Sequence, residues 1–403
     1  MQPEILNASK EEQTADEGAG LVHHALRDGY EVHRAALARG LNVTLLPRQV
    51  LEVSSSAEPG KRLGFSHGVP QASTLSGVTY AQDLRMRRAI LAKAGFAVPK
   101  GATFSVGRSK GSARRYAERT GYPVVLKPAV GDNTVEVQSG LQNRADLNRA
   151  INYLYTPPSQ RHEYVRAAYA LTELREPGRV NGKLVAPPGY RFLIEKHVRG
   201  QYLRFLVIDG QVRNVLHCPD GPWRTQGEQI EDVTGQTHPS LKQIAQGTVH
   251  AVTGMAVAAV DLIVADHRVE TAVEDAPVVE FSERPWLAVQ ELHSPELAAG
   301  LADEILRFGV SSLALSEQQE TLTSEVLIGG AVDPAAVLEV LGAEFRRLGI
   351  EGSLEVSDLA LGQLSGTLTG APGDIAWLSE ALLDEGINGQ RAMLVELRQS
   401  RRG

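Results

Sequence analysis

Apolar and polar positions change their period several times along the chain, and each change marks a predicted element. The spacing predicts a helix over residues 21–39, stopped by Gly40 and followed by the extended run LNVTLL. Residues 54–80 are rich in Ser and Gly and read as loop with short extended pieces. A helical period returns over 83–94, with Gln82 or Asp83 as N-cap and Gly95 placed for a left-handed C-terminal residue. Residues 109–120 give another amphipathic helix, closed by Gly121. The apolar run VVL after Pro123 then reads as a short buried strand ending at Lys127-Pro128. A further helix is expected over 144–154. Residues 155–190 hold five prolines and the weakest period, so they read as an inserted region, with VRAAYALTEL as a short helix inside it.

The clearest local signal is YLRFLVIDGQVRNVLH. Two alternating strands flank Asp209-Gly210, a dipeptide that tolerates the positive φ angles of a type I′ hairpin turn. A helix over 239–253, the strands VAAVDLIVAD and PVVEFSE, and a helix over 295–308 follow. The last 80 residues read as a separate unit. Strand 325–328, helix 333–348 (capped by Asp333, with Pro334 in its first turn), strands 354–356 and 363–369, helix 374–385 and strand 392–397 give the βαββαβ order of a ferredoxin-like domain. SEQQETLTSE reads as the linker before it. No repeat of 20–50 residues is present, which excludes a solenoid or propeller.

Composition narrows the function classes. The 403 residues include 41 Lys and Arg against 48 Asp and Glu, a formal charge of −7, which provides no positive field for non-specific nucleic-acid binding. No apolar run reaches the roughly 18–20 residues of a membrane span. The polar, acidic start is unlike a targeting segment. One cysteine, Cys218, excludes intrachain disulfides and reads as an unreactive thiol; a reducing cytoplasm is expected.

Three positions can carry chemistry. Lys127 leaves a buried strand, where a lysine can hold a phosphate as a point charge or simply be solvated. Asp261 and Glu280 lie within apolar strands. A buried carboxylate is costly unless paired or metal-bound, so these two either share Mg²⁺ or pair with an arginine such as Arg204 or Arg284. Glu195 ends a strand in FLIEKHVRG, a segment able to offer backbone groups to a base and a carboxylate to a ribose.

The ordered set AGFAVPKG, YPVVLKP, LIEKHVRGQYLRFLVIDGQV, VDLIVAD and VVEFSERPWL resembles the ATP-grasp superfamily in its carboxylate–amine ligase branch. It is similar to the ATP-grasp parts of cyanophycin synthetase and bifunctional glutathione synthetase, over about residues 30–310 of this chain. The resemblance implies an α+β ATP-grasp fold at 81–315, after a tail and short α/β region at 1–80 and before a C-terminal ferredoxin-like domain at 321–403. By position, Lys127 matches the ATP-phosphate lysine, Glu195 and Val198 the hinge for ribose and adenine, and Arg88 (or Arg87) a cation near ATP. Gly131 matches a glycine of the phosphate-covering loop, in which Thr134 and Glu136 replace others. Arg204 matches an arginine facing the transferred phosphoryl group. Asp261, Glu280 and Ser282 match magnesium ligands, Ser282 standing for the usual Asn. His217 stands near a second arginine of the family, with Arg224 as a substitute.

The resemblance further implies ATP and Mg²⁺, an acyl-phosphate intermediate, and capture of that intermediate by an amine. The expected substrates are an amino acid or small peptide, with residues 129–136 or part of 155–190 as lid. Alternatives within this reading are a γ-glutamyl ligase and a degenerate protein that binds ATP without turnover. Neither nucleic acid nor membrane is an expected partner, and the C-terminal unit is expected to pack, to cover the substrate site or to dimerise the chain. His293, Trp223 and Trp286 are placed near the predicted site loops, whereas His23-His24 reads as surface.

Overall fold

The computed structural model describes residues 27–129, 137–157, 178–186, 189–222, 224–384 and 386–399. The expected tail, the helix start at 21–26 with His23-His24, the lid segment with Gly131, Thr134 and Glu136, the VRAAYALTEL helix and Trp223 lie outside them.

Helix α1 (Asp28–Ala38) buries Val32, Ala36 and Leu37 and ends before Gly40, whose φ is +67°. Strands β1 (Asn42–Leu46), β2 (Val50–Ser55), β3 (Glu58–Ser66) and β4 (Val69–Pro70) then form an antiparallel meander. The sequence places loop over most of this stretch. Its Ser and Gly content lowers local strand preference, but the nine-residue β3 pairs with β2 and turns Phe65 into the core, and that tertiary pairing wins. Helices α2 (Leu75–Gln82) and α3 (Leu84–Lys93) follow. Thr74 Oγ1 caps α2 by accepting from Gly77 N–H at 3.1 Å, and Asp83 caps α3 by accepting from Arg85 N–H at 2.9 Å.

The middle of the chain builds two sheets. Strand β5 (Gly101–Ser105), helix α4 (Lys110–Thr120), strands β6 (Val124–Pro128) and β7 (Gln138–Leu141), helix α5 (Arg144–Tyr155), the ribbon β8 (Gly178–Val180) with β9 (Lys183–Val185), and strand β10 (Arg191–Lys196) come first. The order β5-β10-β6-β7 makes a four-stranded sheet whose Val124, Leu126, Phe192 and Ile194 pack on Ala117, Leu147 and Ile151 of the helices. Next come β11 (Gln201–Ile208), β12 (Gln211–His217), β13 (Glu231–Asp232), helix α6 (Pro239–Ala251), β14 (Val257–Val264) and β15 (Val278–Ser282). They give a five-stranded sheet in the order β13-β12-β11-β14-β15, with α6 on the face of Phe205, Val260 and Leu262. The β11–β12 turn has φ of 52° at Asp209 and 66° at Gly210, as the sequence requires.

Helices α7 (Leu287–His293) and α8 (Pro295–Gly309) lead to β16 (Leu322–Gly329), α9 (Pro334–Leu348), β17 (Glu351–Asp358), β18 (Gln363–Gly370), α10 (Pro372–Leu383) and β19 (Leu394–Gln399). The βαββαβ element order follows the sequence reading. The sheet does not stop there: it runs β17-β18-β16-β19-β1-β2-β3-β4, with Val43 opposite Leu397. Leu37, Leu45, Leu51, Ile305, Leu364 and Leu397 sit in one hydrophobic cluster, so the last 80 residues share sheet and core with the start of the described chain. Strand β1 needs a partner on its open edge, and β19 supplies it from some 350 residues away, a pairing that no local pattern announces. No helix of the described residues is long and apolar enough to cross a membrane.

A shared core sets a clear expectation. Leu397→Ala removes a fully buried side chain at the β19–β1 junction and should lower unfolding free energy by about 2–5 kcal/mol in urea titrations. A loss below about 0.5 kcal/mol, the scale of ordinary surface changes, contradicts it.

Candidate functional site

The four- and five-stranded sheets face each other across a cleft of about 410 Å³. Its lining includes Lys127 from β6, Glu195 from β10, Tyr202 from β11, Glu280 from β15, the 196–200 connection and Arg224. Local structure fixes these positions. Glu195 pairs across the sheet with Val125, and Leu193 with Lys127, so the acid and the amine emerge two residues apart along the same edge. Past Glu195 the chain crosses between sheets, with Lys196 N–H donating to Lys100 O at 2.8 Å. Gly200 lets this crossing pass close to β14, because a Cβ there would lie 2.3 Å from Val264 O, at a φ of +151°.

Helix α3 supplies the second half. Its Leu84 N–H donates to Ala129 O at 3.0 Å, which anchors the helix beside the end of β6. Arg87 and Arg88 are adjacent in sequence, so they leave the helix about 100° apart and reach different strands. Arg88 pairs with Glu195, and Arg87 pairs with Glu280 and donates to Phe281 O. Between the two acids stands Lys127, 2.9 Å from Glu195 Oε2, 3.7 Å from Glu280 Oε2, and donating to Val279 O at 2.5 Å. The result is one alternating chain, Arg88–Glu195–Lys127–Glu280–Arg87, that ties α3, β6, β10 and β15 together. It carries three positive and two negative groups, of which Lys127, Glu195 and Glu280 line the cleft and the two arginines stand behind the acids. Burial works to raise the Glu280 pKa, but Arg87 and Lys127 outweigh it and hold the carboxyl below its ordinary range.

A second pair lies next to this chain. Arg204, Asp261 and Glu280 are in cross-strand register on β11, β14 and β15. Arg204 donates both Nε and Nη2 to Asp261 at 2.8 Å each, and Tyr202 Oη donates to Asp261 Oδ2 at 2.7 Å. Arg204 is fully buried and Asp261 is 1% exposed. Burial would depress the Arg204 pKa, yet Asp261 pulls it up; burial and then Asp261 push the Tyr202 phenol well above its ordinary value. Of the two sequence alternatives for Asp261, arginine pairing is the one this structure contains.

The magnesium set expected at Asp261, Glu280 and Ser282 is therefore not assembled on one opening. Asp261 is saturated by Arg204 and Tyr202, and Ser282 Oγ accepts from Trp286 Nε1 at 2.8 Å and Arg284 N–H at 3.1 Å. Only Glu280 of the three lines the cleft. Among the described residues no group of three or more His, Cys, Asp or Glu is placed to hold a metal. Arg204 likewise does not face the cleft, and Arg88 sits behind Glu195. Lys127, Glu195 and Val198 do line it. His293 bonds Ile230 O at 2.8 Å, and His217 pairs with Glu231 at 3.4 Å, away from the cleft. Trp286 is fully buried under the Arg284 guanidinium, and burial pushes the Cys218 thiol up to about 12, an inert state.

Sequence reasoning left out Tyr202 and the 219–222 turn. The turn lines the cleft beside Arg224, whose Nη2 donates to Val137 O at 3.0 Å. The only local signal for this turn is its Pro219, Gly221 and Pro222.

Comparison with known proteins adds three structures. The chain is similar to bifunctional glutathione synthetase from Pasteurella multocida (17% identity, TM-score 0.39), over 66% of this chain and 41% of that one. It is similar to D-alanine–D-alanine ligase from Bacillus anthracis complexed with ATP (13%, TM-score 0.40), over 60% and 69%. It is also similar to a RimK-domain ATP-grasp protein from Sphaerobacter thermophilus DSM 20745 (15%, TM-score 0.37), over 58% and 69%. The chain thus spans about two fifths of the length of the glutathione synthetase. No family model and no curated protein matches it. At these TM-scores the overlays carry no weight for the site, which stands on its own residues.

Two outcomes test this geometry. Arg204→Met strands the Asp261 charge and should cost about 3–5 kcal/mol in urea unfolding, whereas Arg204→Met with Asp261→Leu should recover most of the loss. The advantage of wild type over Glu280→Gln should be complete above pH 4.5 and vanish as pH falls through the lower folded pKa, because below it both states carry the proton. Urea midpoints of both proteins from neutral to acid pH read this directly.

Proposed function

We propose that the chain is an ATP-dependent carboxylate–amine ligase that binds the nucleotide in the cleft between the two sheets. One observation carries the reading: Lys127, where the motif order calls for a phosphate-binding amine, lines the cleft between Glu195 and Glu280, and Arg88 and Arg87 stand behind those two carboxylates as their second partners. Around it, Val125, Val198, Ile263 and Val279 line the cleft as apolar wall suited to a flat base, and Glu195, also in the lining, is the residue that the motif order assigns to a ribose. When bound, ATP supplies the phosphoryl group that activates a substrate carboxylate as an acyl phosphate.

The chain's own residues then have defined work. Bringing a carboxylate to a phosphate sets like charges about 4 Å apart, a repulsion of roughly 4 kcal/mol at an effective dielectric of 20. Lys127 offsets part of it by turning from Glu195 and Glu280 toward the incoming anion. Arg87 and Arg88 keep those two carboxylates paired when it does. Arg204 orients Asp261 and so stiffens the neighbouring strands. The amide product would come from an amino acid or small peptide and an amine.

A second reading, nucleotide binding without turnover, is favoured by the saturated Asp261 and Ser282. Both are tested by mixing protein, ATP and Mg²⁺ with pools of amino acids and dipeptides, then measuring ADP and the binding of a fluorescent ATP analogue. ADP that rises only with a pool supports the ligase. Nucleotide binding without ADP supports the second reading, and absence of nucleotide binding ends both. Lys127→Ala, shown folded by circular dichroism, should weaken analogue binding at least about tenfold, the scale of one charge-assisted contact.

A further inference from the structure

A second cavity, of about 490 Å³, lies on the other side of the segment that follows β15. This volume is in the range that holds small molecules. It is walled by β2, β3, β4 and α2, and shares no lining residue with the cleft. Most of the wall is apolar, with Leu51, Phe65, Pro70 and Val78 inside and Leu75, 53% exposed, among its lining residues. Three polar side chains of the wall are buried, Gln82, Glu283 and Arg284 at 4% exposure each, while Ser66 and Gln71 are exposed and Glu52 is half-buried.

The charges in this end do not balance in the usual way. Arg284 is held by Asp28, with Nη2 and Nε at 2.9 and 3.1 Å from Oδ2, and Asp28 Oδ1 also accepts from Leu287 N–H at 2.7 Å. The neighbouring Arg87 is held by Glu280. Glu283 accepts from Gln82 Nε2 at 2.8 Å, and among the described residues no cation reaches it at ion-pair distance. His67 lines the same cavity with a neutral ring: burial first, then Arg284 and Arg48, press its pKa down to about 3. Its Nδ1 has no hydrogen-bond partner among the described residues. The buried end thus presents acceptors on an apolar vessel.

We propose that this cavity binds a primary ammonium group carried on an apolar body, with the ammonium against Glu283 and the body along Leu51, Phe65 and Val78. An anion is disfavoured because both nearby arginines are already engaged. A purely apolar ligand would leave Glu283 buried beside a dry surface with nothing to replace its lost hydration. The binding does not need the ligase reading.

Titration calorimetry of the full chain, without nucleotide, tests this with isoamylamine and its uncharged counterpart isoamyl alcohol. The amine should bind about tenfold tighter than the alcohol, the worth of one charge-assisted contact. Glu283→Gln should erase that preference while retaining weak binding of both. Val78→Trp, which fills the cavity, should abolish both; Leu75→Trp, at a more exposed lining position, should weaken both if the interior variant fails to fold. Equal affinity for the two compounds, an unchanged preference in Glu283→Gln, or no amine binding in the millimolar range overturns the proposal. ADP release is a separate measurement, so failure of the ligase reading leaves this result standing.

Discussion

The chain of charges Arg88–Glu195–Lys127–Glu280–Arg87 is the constraint around which the rest of the site is arranged. Its members come from one helix and from strands of two different sheets, and every one is buried or nearly so. Buried charges are expensive singly and tolerable only in company. Each acid here therefore fixes two cations and each internal cation two acids. This is why α3 must start where it does: the Asp83 cap and the bond from Leu84 to Ala129 set the helix phase that sends Arg87 and Arg88 to separate strands. The same arrangement makes Lys127 the natural point of exchange, since it alone stands between two carboxylates and also faces the cleft.

Beside this network the Arg204–Asp261–Tyr202 group has a different character. Its Arg204–Asp261 pair is bidentate and buried away from the cleft, and only Tyr202 of the three reaches the opening. It binds β11 to β14 through side chains as well as backbone, directly beneath Glu280. The two carboxylates that looked equivalent in the sequence are thus divided by environment: one holds the sheet, and one faces the opening.

Much of this was legible beforehand where the signal is local. The Asp209-Gly210 turn needs positive φ at both residues, and only a few dipeptides accept it. Helix α3 was marked by Asp83 and Gly95, and the acidic strands by carboxylates that alternate with valine and leucine. What stayed hidden depends on distant partners. Strand β3 has the composition of a loop and becomes a strand because β2 is beside it. The partner of Asp261 was open in the sequence, and the register of β11 against β14 sets Arg204 opposite it. Tyr202 carries no mark of its own; it matters because that same register lays its hydroxyl on Asp261. The cavity at Glu283 was hidden for the same reason, since its walls come from segments more than 200 residues apart.

The junction of β19 with β1 has a consequence for biosynthesis. Thr44 pairs with Glu396, so the first strand leaves the ribosome long before its neighbour exists. At roughly 5–20 residues per second the wait is about 20–70 s. During that interval β1 offers an open edge and half a core to the crowded cell. The middle sheets can form meanwhile from closer contacts, but the outer sheet closes only once β19 has been made, as a clasp fastened late in synthesis.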